Sequence, residues 1–79
     1  MGAMTVSEWL ERFATMAGID RPSDEEIEQL LDLAGTAAHA SARTAAPITC
    51  WLAGRAGLDV DVALAYARAV SATGEEEPA

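Results

Sequence analysis

Apolar positions recur at three- and four-residue spacing in four stretches of the chain, which is the pattern of amphipathic helices. The first stripe comprises Trp9, Leu10, Phe13, Met16 and Ala17. A capping box over residues 5–8 precedes it and Gly18 follows it, so the sequence predicts a helix over residues 6–17. Because an amphipathic helix normally buries its apolar stripe, we expect Trp9 and Phe13 in the core.

The second stretch predicts the longest helix, over residues 24–43. Its stripe comprises Ile27, Leu30, Leu31, Ala34 and Ala38. A second capping box, over residues 23–26, marks its start. Leu33 and Ala37 add a second apolar flank, and a helix that is apolar on two flanks is expected at the centre of the fold. Leu31 is therefore expected to be buried.

The third and fourth stretches predict shorter helices over residues 47–56 and 60–72. Pro47 suits the first turn of a helix, where its missing N–H costs no hydrogen bond. Trp51 is expected in the core, with Arg55 one turn later stacked on its indole. Cys50 lies on the opposite face of this helix, among small residues, and is interpreted as a small buried hydrophobe.

Together these stretches predict an all-α fold: a single small four-helix domain with short loops. The domain should occupy residues 5–73. Residues 1–4 are interpreted as a cloning remnant or disordered start, and the acidic tail over residues 74–79 is expected to be disordered. With 79 residues and no disulfide, such a domain has a small core, so a homodimer is expected.

Charge argues against several classes of function. The chain has a formal net charge of −8, and all five of its cations are arginines. This balance opposes binding to nucleic acid, helix-turn-helix recognition of DNA included, and binding to anionic membranes.

A single cysteine excludes an intrachain disulfide and a cysteine-based metal cluster, and no metal or cofactor site is predicted. We expect a reduced, cytoplasmic protein with no membrane-spanning segment.

The thirteen acidic residues leave one long gap, since none lies between Asp32 and Asp59. His39, Arg43 and Thr49 lie in this acid-free stretch. His39 and Arg43 are one helical turn apart, and Thr49 is close to the start of the third helix, whose N-terminus carries partial positive charge. These three residues are the candidate ligand-binding site, for a phosphate or carboxylate. A structural role at the end of the second helix is the alternative, and the sequence favours it by about two to one.

No nucleophile–base–orienter set is present, and the single histidine has no acidic partner nearby in sequence. The sequence therefore predicts that the domain is not an enzyme and that it has no catalytic residues.

One further pattern runs through the centre of the chain. It consists of Leu31-Asp32-Leu33-Ala34, His39-x-x-x-Arg43-x-x-Ala46-Pro47-Ile48-Thr49 and Leu52-x-Gly54, with an early Trp9-Leu10 and an alanine-rich last helix. In this pattern, from about residue 7 to residue 72, the chain resembles a small, poorly characterised helical domain of actinobacteria. That domain occurs alone or fused to the C-terminus of nucleotidyltransferases that attach GMP to molybdopterin.

The resemblance implies an accessory role in molybdenum-cofactor biosynthesis. The expected function is a non-catalytic binding module that contacts a nucleotidyltransferase, or a phosphorylated pterin or nucleotide. The glycine-rich signature of the transferase is absent, so the resemblance does not imply transferase activity. The alternative function is a purely structural domain that forms a homodimer and binds no ligand.

Overall fold

Four helices occur within residues 4–76, the part of the backbone that the computed structural model describes; side chains are described for residues 4–73. The helices are α1 (Val6–Ala17), α2 (Asp24–Ala40), α3 (Ala45–Arg55) and α4 (Val60–Glu76). No strand is present within that range. The predicted all-α, four-helix fold is confirmed.

Both predicted capping boxes are present. The Glu8 amide donates to Thr5 Oγ1 at 3.1 Å, and the Thr5 amide donates to Glu8 Oε1 at 3.0 Å. The hydrogen bonds from the Thr5 amide and then from its side chain hold the pKa of Glu8 below its ordinary value. Ser23 and Glu26 repeat the arrangement at the start of α2, at 3.1 and 2.9 Å. These caps fix the first residues of α1 and α2, which match the prediction.

Three helix ends differ from the prediction by two residues or more. α2 ends at Ala40, short of residue 43, because the backbone of Ser41 leaves the helical region. α3 begins at Ala45, two residues before the predicted start at Pro47. Proline is tolerated throughout the first turn of a helix, because the amides of that turn have no partner within the helix. α4 continues to Glu76, four residues beyond its predicted end at residue 72, and the predicted disorder of the tail stays a prediction. Glutamate favours helix, and no proline lies between the start of α4 and Pro78. Residues 1–3 and 77–79 lie outside the described residues.

The core forms where α2 packs against α3 and α4, so the predicted central position of α2 is confirmed. Leu33, 1% exposed, packs there with Ala63 and Leu64 of α4. The expected burial of Leu31 is wrong, since this side chain is 68% exposed. Positions two apart on a helix differ by about 200°, so α2 cannot turn both leucines toward the same neighbours.

α1 lies outside this packing, because it makes no extensive contact with any other helix. Arg21 connects its first turn to α2: Nη1 donates to Ser7 Oγ at 2.9 Å and Nη2 donates to Asp24 Oδ1 at 3.2 Å. The protein is consequently elongated, 50 × 30 × 19 Å, with a radius of gyration of 14.5 Å. A globular chain of this length has about 12 Å.

Candidate functional site

The aromatic side chains expected in the core lie on the surface instead. Trp9 is 57% exposed, Phe13 63% and Trp51 60%. The expectation was wrong because it assigned every apolar stripe to one core, whereas only three helices pack together and small residues dominate their contacts. Two apolar surfaces surround the tryptophans, one on α1 and one on α3, and Val62, Tyr66 and Val70 of α4 are exposed as well.

The first surface, which we name the α1 face, consists of Met4, Trp9, Phe13 and Met16. Together with Arg12 these side chains line a shallow concavity of about 130 Å³. The opposite side of α1 is polar and carries Glu8, Glu11 and Thr15. The side of α1 that is turned toward the protein carries the buried Ala14 and the half-buried Leu10, whereas Trp9, Phe13 and Met16 are exposed.

The second surface, which we name the α3 face, consists of Ile48, Trp51, Leu52 and Arg55, all exposed. The predicted stacking of Arg55 is confirmed, since its guanidinium carbon lies 5.3 Å from the centroid of the Trp51 ring.

The inner side of α3 is formed by small residues. Cys50 and Ala53 are half-buried and pack against the core. Burial raises the pKa of the Cys50 thiol, in keeping with its interpretation as a small hydrophobe. The large residues of this helix therefore point away from the packing and the small residues point into it.

The three residues of the predicted anion site occupy different parts of the α2–α3 connection. His39 lies in the last turn of α2 and is exposed, Arg43 lies in the turn between the helices and is exposed, and Thr49 is half-buried within α3. Because α2 ends at Ala40, the one-turn spacing that placed His39 beside Arg43 on one helix does not apply. The ion pairs of the described residues join Arg21 to Asp24 and Arg68 to Asp32, so neither includes Arg43.

The start of α3 offers fewer amide donors than the sequence suggests. The Ala45 amide donates to the Ala42 carbonyl at 2.9 Å, and the Ala46 amide donates to the Arg43 carbonyl at 3.2 Å. Pro47 has no N–H, and beyond the first turn of a helix the amides normally bond within it. Any anion at this end would therefore depend on the side chains of Arg43 and His39, and the site stays a prediction.

The described residues offer few other candidate sites. No group of three histidine, cysteine, aspartate or glutamate side chains there is arranged to hold a metal ion. An open groove of about 510 Å³ follows the polar side of α1 and is lined by Glu8, Glu11, Arg12, Thr15 and Met16. No described helix has the length and apolar character needed to cross a membrane. The apolar surfaces on α1 and α3 are consequently the main features of the molecule.

The chain belongs to a protein family described as Domain of unknown function (DUF6457), whose model matches residues 2–79. Neither the curated proteins nor the solved structures include a match to the chain.

Proposed function

We propose that this member of the family is a non-catalytic accessory module of molybdenum-cofactor biosynthesis, which docks on a partner enzyme through the α1 face. The observation that carries the docking is the exposure of Trp9 and Phe13 on a helix that does not pack against the other three. Burying a large apolar side chain gains about 1.5–3 kcal/mol, so a helix that leaves two aromatics in water has much to gain from a partner. Aromatic residues also dominate binding energy at protein interfaces.

The identity of the partner is proposed from the resemblance of the sequence. A domain that occurs fused to enzymes attaching GMP to molybdopterin is expected to contact the same enzyme when it occurs alone. An amphipathic helix that lies outside the three-helix core suits docking into an apolar groove of a partner, with Trp9 and Phe13 as anchors. The non-catalytic role rests on the sequence, whose one histidine has no acidic residue nearby to form a catalytic set.

A phosphorylated pterin or nucleotide is the second candidate ligand, and the acid-free stretch favours it. Within a chain of net charge −8, residues 33–58 contain Arg43, Arg55 and His39 and no carboxylate side chain. An anion would meet the least repulsion there. This role does not compete with docking, because the α1 face lies on another helix.

The alternative is a purely structural domain that covers its apolar surfaces only with another copy of itself and binds neither enzyme nor ligand. The large total accessible surface of the chain, 6380 Å², favours this alternative. A folded monomer of this mass exposes about 4,500 Å².

Calorimetric titration of the full chain into a purified molybdopterin guanylyltransferase tests the proposal. We expect saturable binding that Trp9→Glu weakens by at least ~30-fold, the size of a hot-spot substitution. Tyr66→Glu is the matched control, because Tyr66 is an equally exposed aromatic on α4, and it should leave binding unchanged. Absence of binding at ~100 µM of both proteins, or equal weakening by both variants, would overturn docking through the α1 face. Adsorption of the chain to neutral lipid vesicles with no affinity for the enzyme would instead assign α1 to a membrane surface.

A further inference from the structure

We infer that the α3 face is the interface of a homodimer and that its occupant is the α3 face of a second copy of this chain. The inference concerns a different helix from the docking surface on α1. It goes beyond the proposed function and does not depend on it.

The first observation is the orientation of α3. Ile48, Trp51 and Leu52 are its largest apolar residues, and each is more than half exposed. The small residues of the same helix fill the contact with the core. A helix of a monomeric domain turns its large apolar residues inward. A helix with the reverse orientation has a second apolar surface to cover, and its tryptophan and arginine are residue types enriched at the centres of interfaces.

The second observation is charge, and it selects a copy of this chain as the occupant. Two molecules of net charge −8 repel each other, so they associate most easily where neither presents a carboxylate. α3 lies entirely within the acid-free stretch, residues 33–58. Face-to-face contact of two copies of α3 therefore joins two helices that carry no acidic side chain. The gap in the distribution of acids is explained by this contact.

The third observation is the symmetry of the face. In an antiparallel pair about a two-fold axis, residues that are equally far from the axis oppose each other. With the axis passing between residues 51 and 52, Trp51 of one copy opposes Leu52 of the other, and Ile48 opposes Arg55. The aromatic contact then lies near the middle of the 11-residue helix. The Arg55 stem can cover the opposite isoleucine while its guanidinium remains over its own indole.

The total accessible surface of the chain is large enough to include such an interface. The accessible surface of 6380 Å² exceeds that of a folded monomer of this mass by about 1,800 Å². A standard interface removes about 800 Å² from each partner. One such interface at α3 leaves the α1 face free for a different protein.

Light scattering of the full chain over ~5–500 µM tests the inference. We expect the mass to rise to twice 8.2 kDa, and Trp51→Glu to weaken the dimer by at least ~30-fold. Leu52→Glu should act in the same direction, and helical dichroism shows whether each variant is folded. Trp9→Glu is the matched control and should leave the dimer intact. Raising the salt from ~20 to ~300 mM should tighten the dimer, because screening reduces the repulsion between two acidic chains.

A monomer mass at every concentration and salt would overturn the inference. So would a dimer that Trp9→Glu dissociates while folded Trp51→Glu and Leu52→Glu variants remain dimeric, since the interface would then belong to α1. No partner enzyme enters this experiment, so its failure and the failure of docking through the α1 face are separate results.

Discussion

Leu31 and Leu33 show at the level of single residues what the sequence determines and what it does not. Both fit a helical apolar pattern, and both flanks of α2 were recognised from spacing alone. Which flank faces the core depends on where α3 and α4 pack, and that is a property of the tertiary structure. Leu33 meets Ala63 and Leu64, whereas Leu31 remains in solvent.

The difference between the two leucines gives a paired prediction. Leu33→Ala should lower the free energy of unfolding by ~2–5 kcal/mol, because it opens a cavity between α2 and α4. Leu31→Ala should change it by less than ~0.5 kcal/mol, as is usual for surface substitutions. Urea denaturation of both variants, at a concentration where the chain is monomeric, measures the two values. A larger loss for Leu31→Ala than for Leu33→Ala would contradict the observed packing of α2.

At the level of the elements, helix starts were predicted better than helix faces. The capping boxes at Thr5 and Ser23 are local signals that involve neighbouring residues only, and they place the first residues of α1 and α2 correctly. The faces of α1 and α3 depend on long-range packing, so assigning Trp9, Phe13 and Trp51 to the core failed. The opposition of large and small residues on α3 was visible in the sequence. It could have indicated an interface.

The predicted anion site belongs to the connection between α2 and α3. Phosphate, pyrophosphate or GMP should shift the ring signals of His39 and the signals of Thr49 at low salt, where the attraction of an anion to Arg43 is least screened. Because the Ala45 and Ala46 amides are already bonded, Arg43→Ala should remove the shifts. Arg12→Ala, an exposed arginine outside the acid-free stretch, is the matched control. Shifts that persist in Arg43→Ala, or that both variants reduce equally, would leave His39 and Arg43 with a structural role only.

At the level of the whole molecule, the chain is a small three-helix core with large apolar residues on its outside. An unfolded chain of this mass exposes about 11,900 Å², so folding to 6380 Å² buries slightly less than half of it. Domains of similar size bury about 60%. The difference reflects the aromatic side chains that α1 and α3 leave exposed, and it is the reason for proposing an interaction module.

Acrylamide quenching of tryptophan fluorescence tests this account most directly, because each apolar surface contains one of the two tryptophans. Trp51→Phe leaves Trp9 as the reporter of the α1 face, and Trp9→Phe leaves Trp51 as the reporter of the α3 face. At concentrations low enough for a monomer, both should be quenched nearly as readily as free indole, with emission typical of a solvated ring. Concentrating the Trp9→Phe variant should then protect Trp51, and adding the partner enzyme should protect Trp9. Blue-shifted emission and strong protection of both tryptophans in the dilute chain would show that they lie in a core, and would contradict the account.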